Sequence, residues 1–348
     1  MKRQVGAALV TAEGPSAGRE RRDLVISVSL NPALDITYTV PELVADTSHR
    51  VTSVVSRAGG KGLNVARVLR QLGAETLVLG LSGGAVGEHI EAELAAAGVP
   101  AQFTRLAAET RRTVTVLARG TATVLNEPGP HVTEAQWAAF LDAFAERVRA
   151  ARVVVLSGSR PPGVPETAYA DLVTIARAGG AEAIVDAEGP ALRHALAAAP
   201  ALVKPNAHEA ADLLGRPVRT RDDAVAVAHR LVRLGASAGV VSRGADGFVA
   251  VTGGVAFSAR APEQVSGNPT GAGDALAAVL AYGLVTRAPW RDVLARGAAV
   301  SAAAVACPWA GEYDDDVASR LLDGTTVETL EEHRTEREQE PCRTSPPR

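Results

Sequence analysis

Asp274 follows a glycine turn, Thr270-Gly271-Ala272-Gly273, and opens an apolar segment, Ala275–Leu284, of helical composition. Glycines just before a helix let neighbouring backbone N–H groups converge on one point, and the helix dipole adds partial positive charge there. Such a turn holds an anion, and the same dipole favours the ionised form of Asp274 in the first helical turn. A carboxylate beside an anion hole is what phosphoryl transfer to a hydroxyl requires. The carboxylate takes the proton while the amides of Gly271, Ala272 and Gly273 stabilise charge on the transferring group. General-base help of this sort is worth roughly 10²–10⁴ in rate. An aspartate that merely caps a helix after a glycine turn would show the same local pattern, so this segment alone leaves both readings open.

A second glycine turn, Ala58-Gly59-Gly60-Lys61-Gly62-Leu63-Asn64, also enters a helical pattern. Backbone amides, Asn64 and the Lys61 ammonium suit a polar substrate; a tight turn with a solvated lysine is the plainer alternative. Composition bears on Lys61. The chain has three lysines (Lys2, Lys61, Lys204) against 33 arginines, and a lysine retained in such a composition marks a place for a compact ammonium. A P-loop is excluded, because Gly62 stands where Ser or Thr is needed. A dinucleotide fingerprint is poorly matched: Gly271-x-Gly273-x-x-Leu276 lies near the C-terminus, not after the first strand.

Positioning these turns requires alternating strands and helices. Leu24–Leu30, Thr76–Leu81, Val153–Leu156, Ala183–Asp186, Ala201–Val203 and Gly239–Ser242 read as strands. Helices are expected from Leu63 to Leu72, around Ile90 and Leu94, and over Pro165–Ala178, Arg221–Leu234, Ala272–Leu284 and Pro289–Ala306. This alternation predicts an α/β fold with a mostly parallel sheet covered on both faces. Asp35–Val40 with Arg50–Ser56, and Arg112–Leu117 with Thr121–Leu125, break the rhythm and read as antiparallel pairs, the second closed by the turn Ala118-Arg119-Gly120. They form a small β-flap, at about 35–57 and 111–125, attached to one folded domain over 24–323, and able to act as a lid or to pair with a second subunit. Residues 1–23 read as a disordered leader and 324–348, charged and proline-rich, as a disordered tail.

The bulk figures exclude several classes. Net charge is −3, from 36 basic and 39 acidic residues, so no basic field points to nucleic acid or an anionic membrane. The apolar run Val5–Val10 is far too short to span a bilayer. Cys307 and Cys342 show no CxxC spacing, and a reduced, cytoplasmic setting is the simplest expectation.

Five motifs occur in register: Asn31-Pro32-x-x-Asp35, Gly59-Gly60-Lys61-Gly62-x-Asn64-x-Ala66, Ser157-Gly158-Ser159, Lys204-Pro205-Asn206-x-x-Glu209 and Thr270-Gly271-Ala272-Gly273-Asp274. In that order the chain resembles the ribokinase-like carbohydrate kinases over about Leu24 to Asp323. The nearest branch holds 1-phosphofructokinase, tagatose-6-phosphate kinase and the minor 6-phosphofructokinase. The resemblance implies a three-layer α/β sandwich with a lid, ATP and Mg²⁺ as cofactors, and a ketohexose phosphate as acceptor. Asp274 is then the base; Asp35, Gly60, Lys61 and Asn64 hold the sugar. Asn206 and Glu209 organise Mg²⁺ and phosphates, the metal through water, with Lys204 facing the nucleotide phosphates. Ser242, Gly244 and Gly247 border the nucleotide; for Ser242 and Asp186 a direct contact and a mere strand end are both open readings.

For a phosphate already on the sugar, the resemblance selects Arg111 after Thr110, with Arg112 as rival on the opposite strand face. Arg160 and Arg243 stand where related enzymes carry apolar residues. The implied acceptor is fructose 1-phosphate, or tagatose or fructose 6-phosphate. A kinase of an unphosphorylated sugar or nucleoside in the same fold, and a catalytically silent sugar-phosphate sensor, are the alternatives. A homodimer through the flap is the expected assembly.

Overall fold

The computed structural model describes residues 23–332; the expected leader up to residue 22 and the last part of the expected tail lie outside the described residues. In chain order, β1 (Leu24–Ser29), β2 (Ala33–Val40) and β3 (Ser53–Gly59) lead into α1 (Lys61–Gln71), β4 (Thr76–Gly83), α2 (Gly84–Ala96) and β5 (Ala101–Leu106). Then come β6 (Arg111–Ala118), β7 (Thr121–Asn126), α3 (Glu134–Arg147), β8 (Ala151–Ser157), α4 (Ala168–Ala178) and β9 (Glu182–Asp186). α5 (Gly189–Ala197), β10 (Leu202–Val203), α6 (Ala207–Leu214), α7 (Arg221–Arg233), β11 (Ala238–Ser242), β12 (Phe248–Thr252) and β13 (Val255–Arg260) follow. The chain closes with α8 (Ala272–Thr286), α9 (Trp290–Ala304), α10 (Asp315–Gly324) and β14 (Thr326–Glu332).

A ten-stranded sheet runs β14-β13-β12-β11-β10-β9-β8-β1-β4-β5, parallel from β11 to β5 and antiparallel at the β12–β14 end. Its central strands are apolar on both faces because helices cover both. On β8, Val154 and Leu156 face a core built with α3, α4, α5 and α7, while Val153 and Val155 face one built with α1, α8 and α9. Each such side chain taken out of water contributes about 1.5–3 kcal/mol. This is the α/β sandwich expected from the alternation.

The four-stranded flap sheet runs β3-β2-β6-β7, with β2 parallel to β6 and antiparallel hairpin partners outside. Arg119 and Gly120 both take positive φ, 48° and 77°, as a two-residue hairpin turn matching strand twist demands. β6, the first strand of the second flap pair, starts at Arg111, the expected start of that part of the flap.

One expectation is corrected. The tail does not lose structure at residue 324, for Thr326–Glu332 pairs antiparallel with β13 as an edge strand. Its two apolar anchors, Val327 and Leu330, pack against opposite cores, as side chains an odd number of residues apart on a strand do. Apolar residues three apart do not show the period of two by which a half-buried strand is recognised.

Candidate active site

The two glycine turns meet at the carboxyl ends of the central strands. α1 starts at Gly60 (φ 113°) and α8 at Gly271 (φ 90°), neither with a side-chain cap, whereas α3, α6 and α7 open with capping boxes. Uncapped starts leave first-turn amides for other acceptors. Space also requires glycine. A Cβ on Gly62 would stand 2.5 Å from Val28 O, so α1 rests directly on β1. One on Gly271 would stand 2.7 Å from Ala310 Cβ. Of the amides expected to form the anion hole, that of Ala272 closes the turn on Pro269 O at 3.3 Å.

Asp274, 6% exposed, accepts a 2.8 Å hydrogen bond from Asn64 Nδ2. Burial, reinforced by the Asp186 charge, raises its carboxyl to about 6, against the opposing pull of Asn64, Lys61 and Lys204. Asn64, expected to hold the sugar, donates this bond from the first turn of α1.

Asp186, at the end of β9 and fully buried, was weighed between a direct contact and a mere strand end. It is a hub. Lys204 Nζ lies 3.0 Å from it and Lys61 Nζ 3.4 Å, and Lys61 is also 3.4 Å from Glu209. Burial would raise the Asp186 carboxyl, but the two ammonium groups hold it low. Both lysines among the described residues thus converge on one carboxylate. A Cβ on Gly273 would come within 3.5 Å of Lys204 Nζ, which places that ammonium at the edge of the glycine turn. Lys61 reaches these acids; no contact with Asp35 links it to the sugar end.

Asn206 caps α6. Its Oδ1 accepts from the His208 and Glu209 amides at 2.9 Å, and Glu209 Oε2 accepts from Asn206 N at 2.8 Å. Beside it a cleft of about 300 Å³ is lined by Asn206, His208, Arg219, Ser242, Arg243 and Gly244. Gly247 closes the same turn, donating to Gly244 O and accepting from Arg243 N. Of the predicted nucleotide residues, Asn206, Ser242 and Gly244 line this cleft, Glu209 and Gly247 adjoin it through these hydrogen bonds, and Lys204 lies instead against Asp186.

Over the other end lies the flap. Asp35 faces Arg57 and Thr113 on its two neighbouring strands, and a Cβ on Gly59 would collide with its carboxylate. Burial raises Asp35, while Arg111, Thr113, Arg67 and Arg57 pull it down. Arg111 donates to Asn31 O at 3.1 Å and to Glu127 O at 3.3 Å. Sequence reasoning missed Arg57, bound to Glu312 at 3.2 Å, and Arg67, bound to Glu93 at 2.7 Å and to Ala58 O; cross-strand register was the signal for the first. Arg160 is a brace, donating to Val164 O, away from these groups.

A sandwich that sets one buried acid against an uncapped glycine-gated helix, with paired lysines alongside, defines a kinase of small hydroxylated molecules. The model for "pfkB family carbohydrate kinase" matches residues 24–315, and the chain belongs to that family of sugar kinases. Escherichia coli phosphofructokinase-2, solved in complex with fructose-6-phosphate, is 29% identical, with TM-score 0.79, over 87% of this chain and 99% of that one. A possible 1-phosphofructokinase from Thermotoga maritima is 28% identical, with TM-score 0.78, over 88% and 100%. Arabidopsis thaliana ribokinase, solved with ribose and ATP, has TM-score 0.71 over 86% and 98%; at 22% identity it bears on the fold alone.

Membership implies ATP as phosphoryl donor and a divalent metal with it. Among the described residues no group of three or more His, Cys, Asp or Glu could cage a metal, and Asn206 Oδ1 and Glu209 Oε2 are committed to the cap. That donor set fits an ion carried on nucleotide phosphates and touched through water. No helix among the described residues is long and apolar enough to cross a membrane.

Proposed function

We propose that the chain transfers the γ-phosphoryl group of MgATP to a hydroxyl of a ketohexose phosphate, giving a bisphosphate and ADP. The acceptor is fructose 1-phosphate, or tagatose or fructose 6-phosphate. The observation that carries this reading is the buried Asp274, held by Asn64 at the start of α8. Asp274 takes the hydroxyl proton as oxygen attacks phosphorus. The bond to the β-phosphate oxygen breaks, and charge on the transferring group is met by the first-turn amides with Lys204 nearby. Mg²⁺, when bound, neutralises phosphate charge; Asn206 and Glu209 lie where they would hold its water shell.

Asp35 serves the sugar hydroxyls. Gly60 borders the ring, and Lys61 steadies the acids beneath it. Arg111 reads the phosphate already present on the acceptor. Ser242, Gly244 and Gly247 border the nucleotide. Flap closure excludes water, which would otherwise compete for the phosphoryl group. Exposed apolar side chains on the flap, Val54, Leu117, Val124 and Leu125, support a homodimer through this sheet, in a cytoplasmic enzyme.

A coupled ADP-release screen over hexose 1- and 6-phosphates, fructose, ribose and adenosine tests the reading. Turnover is expected on a ketohexose phosphate, with Arg111→Ala raising KM for it far more than for its unphosphorylated parent. Turnover confined to unphosphorylated acceptors would overturn the acceptor class, and binding without ADP release would mark a sensor.

A further inference from the structure

A second cavity, of about 320 Å³, lies across the Arg243–Gly247 turn from the nucleotide cleft and shares Arg243 and Asp246 with it. We propose that this cavity binds a small phosphorylated anion at a site separate from the catalytic cleft.

Three elements build it. Register on the β13–β14 ladder sets Ser258 opposite Glu328 and Arg260 opposite Thr326. Side chains two apart on paired strands share a face, so these four form one polar patch. Phe257, Ala259 and Val327, on the alternate positions, pack into the core. The first residue of α7, Arg221, contributes from one side, and the turn contributes Arg243 from the other.

Three guanidinium groups thus meet two carboxylates in one pocket. Arg221 lies 3.1 Å from Glu328 and Arg243 a long 3.6 Å from Asp246, while Arg260 has no carboxylate in ion-pair range among the described residues. The Arg243 side chain is only 16% exposed, so its charge is held within the wall. Planar guanidinium forks match phosphate oxygens in pairs, and the Ser258 and Thr326 hydroxyls add donors. The volume suits a small metabolite. Glu328 acts as a resident counter-ion: an incoming phosphate takes its place on Arg221 and engages Arg260. The proposed phosphoryl transfer uses neither Arg221 nor Arg260, so the site stands without that mechanism.

The test is calorimetric titration of the full-length protein with inorganic phosphate, and separately with glycerol 3-phosphate, at constant ionic strength. The nucleotide cleft is kept filled by a non-hydrolysable ATP analogue. Arg260→Ala is expected to weaken binding at least about tenfold, the loss of a charge-assisted hydrogen bond. Glu328→Gln is expected to tighten it, a gain that damaged folding cannot mimic. Tighter binding of glycerol 3-phosphate than of phosphate would identify a phosphate ester as the ligand, and the reverse order the free ion. Equal affinity in wild type, Arg260→Ala and Glu328→Gln, or no saturable binding at millimolar anion, would overturn the proposal; phosphate held instead near Arg111 gives that equality.

Discussion

At the scale of single residues, Asp274 works as a base only when ionised. Burial and the Asp186 charge raise its carboxyl to about 6, so the group is mostly ionised at neutral pH and loses that form as pH falls through this value. The rate on the sugar is therefore expected to be level above about pH 7 and to drop ~10-fold per unit below the pKa. A pH–rate profile whose acid limb bends near pH 4 would show that the surroundings do not act on Asp274 as described. Asp274 and its glycines were readable because a glycine turn before an apolar run is a local pattern. Asn64 and Lys61 were found, but not their protein partners, Asp274 for the first and Asp186 with Glu209 for the second. The Asn64–Asp274 bond spans 210 positions and the Lys61–Asp186 contact 125, distances that no spacing rule covers. Asp186 carries no motif of its own. Its part emerges only where β9 ends between two lysines.

Among elements, α6 poses the sharpest question, because Asn206 and Glu209 satisfy each other as a capping box whether or not they serve a nucleotide. Asn206→Ala is expected to cost about 1 kcal/mol in denaturant unfolding, through the lost cap. Asn206→Asp preserves the cap but adds a negative charge beside the cleft proposed for the nucleotide. If the residue serves the nucleotide, this variant keeps its stability while KM for ATP rises severalfold; an unchanged KM would leave Asn206 a cap and nothing more. Most strands and helices were legible from periodicity, since central strands buried on both faces read as continuous apolar runs. β14 was not. Glu328, Glu331 and Glu332 give it the composition of a solvated tail, and its two apolar anchors, facing opposite cores, show no alternation.

For the molecule as a whole, the sandwich sets the cleft at α6 and β11, proposed for the nucleotide, apart from the Asp35–Arg111 end at the flap, proposed for the sugar. The flap sheet joins the body through four connections, β1–β2, β3–α1, β5–β6 and β7–α3, the second being the glycine turn itself. Of its exposed apolar side chains, Val54 and Leu125 share one face of the sheet and Leu117 and Val124 the other, and the first pair is the face proposed to meet a second subunit. Val54→Glu with Leu125→Glu is expected to convert a dimer to a monomer in sedimentation, and a wild-type monomer at micromolar concentration would reduce the flap to a cover. The account as a whole depends on proton transfer to a single acid, which turnover of Asp274→Asn alongside its ATP affinity measures most directly. The expected result is a fall in kcat of about 10²–10⁴ or more with ATP binding within a few-fold of wild type. A kcat within tenfold of wild type would contradict it.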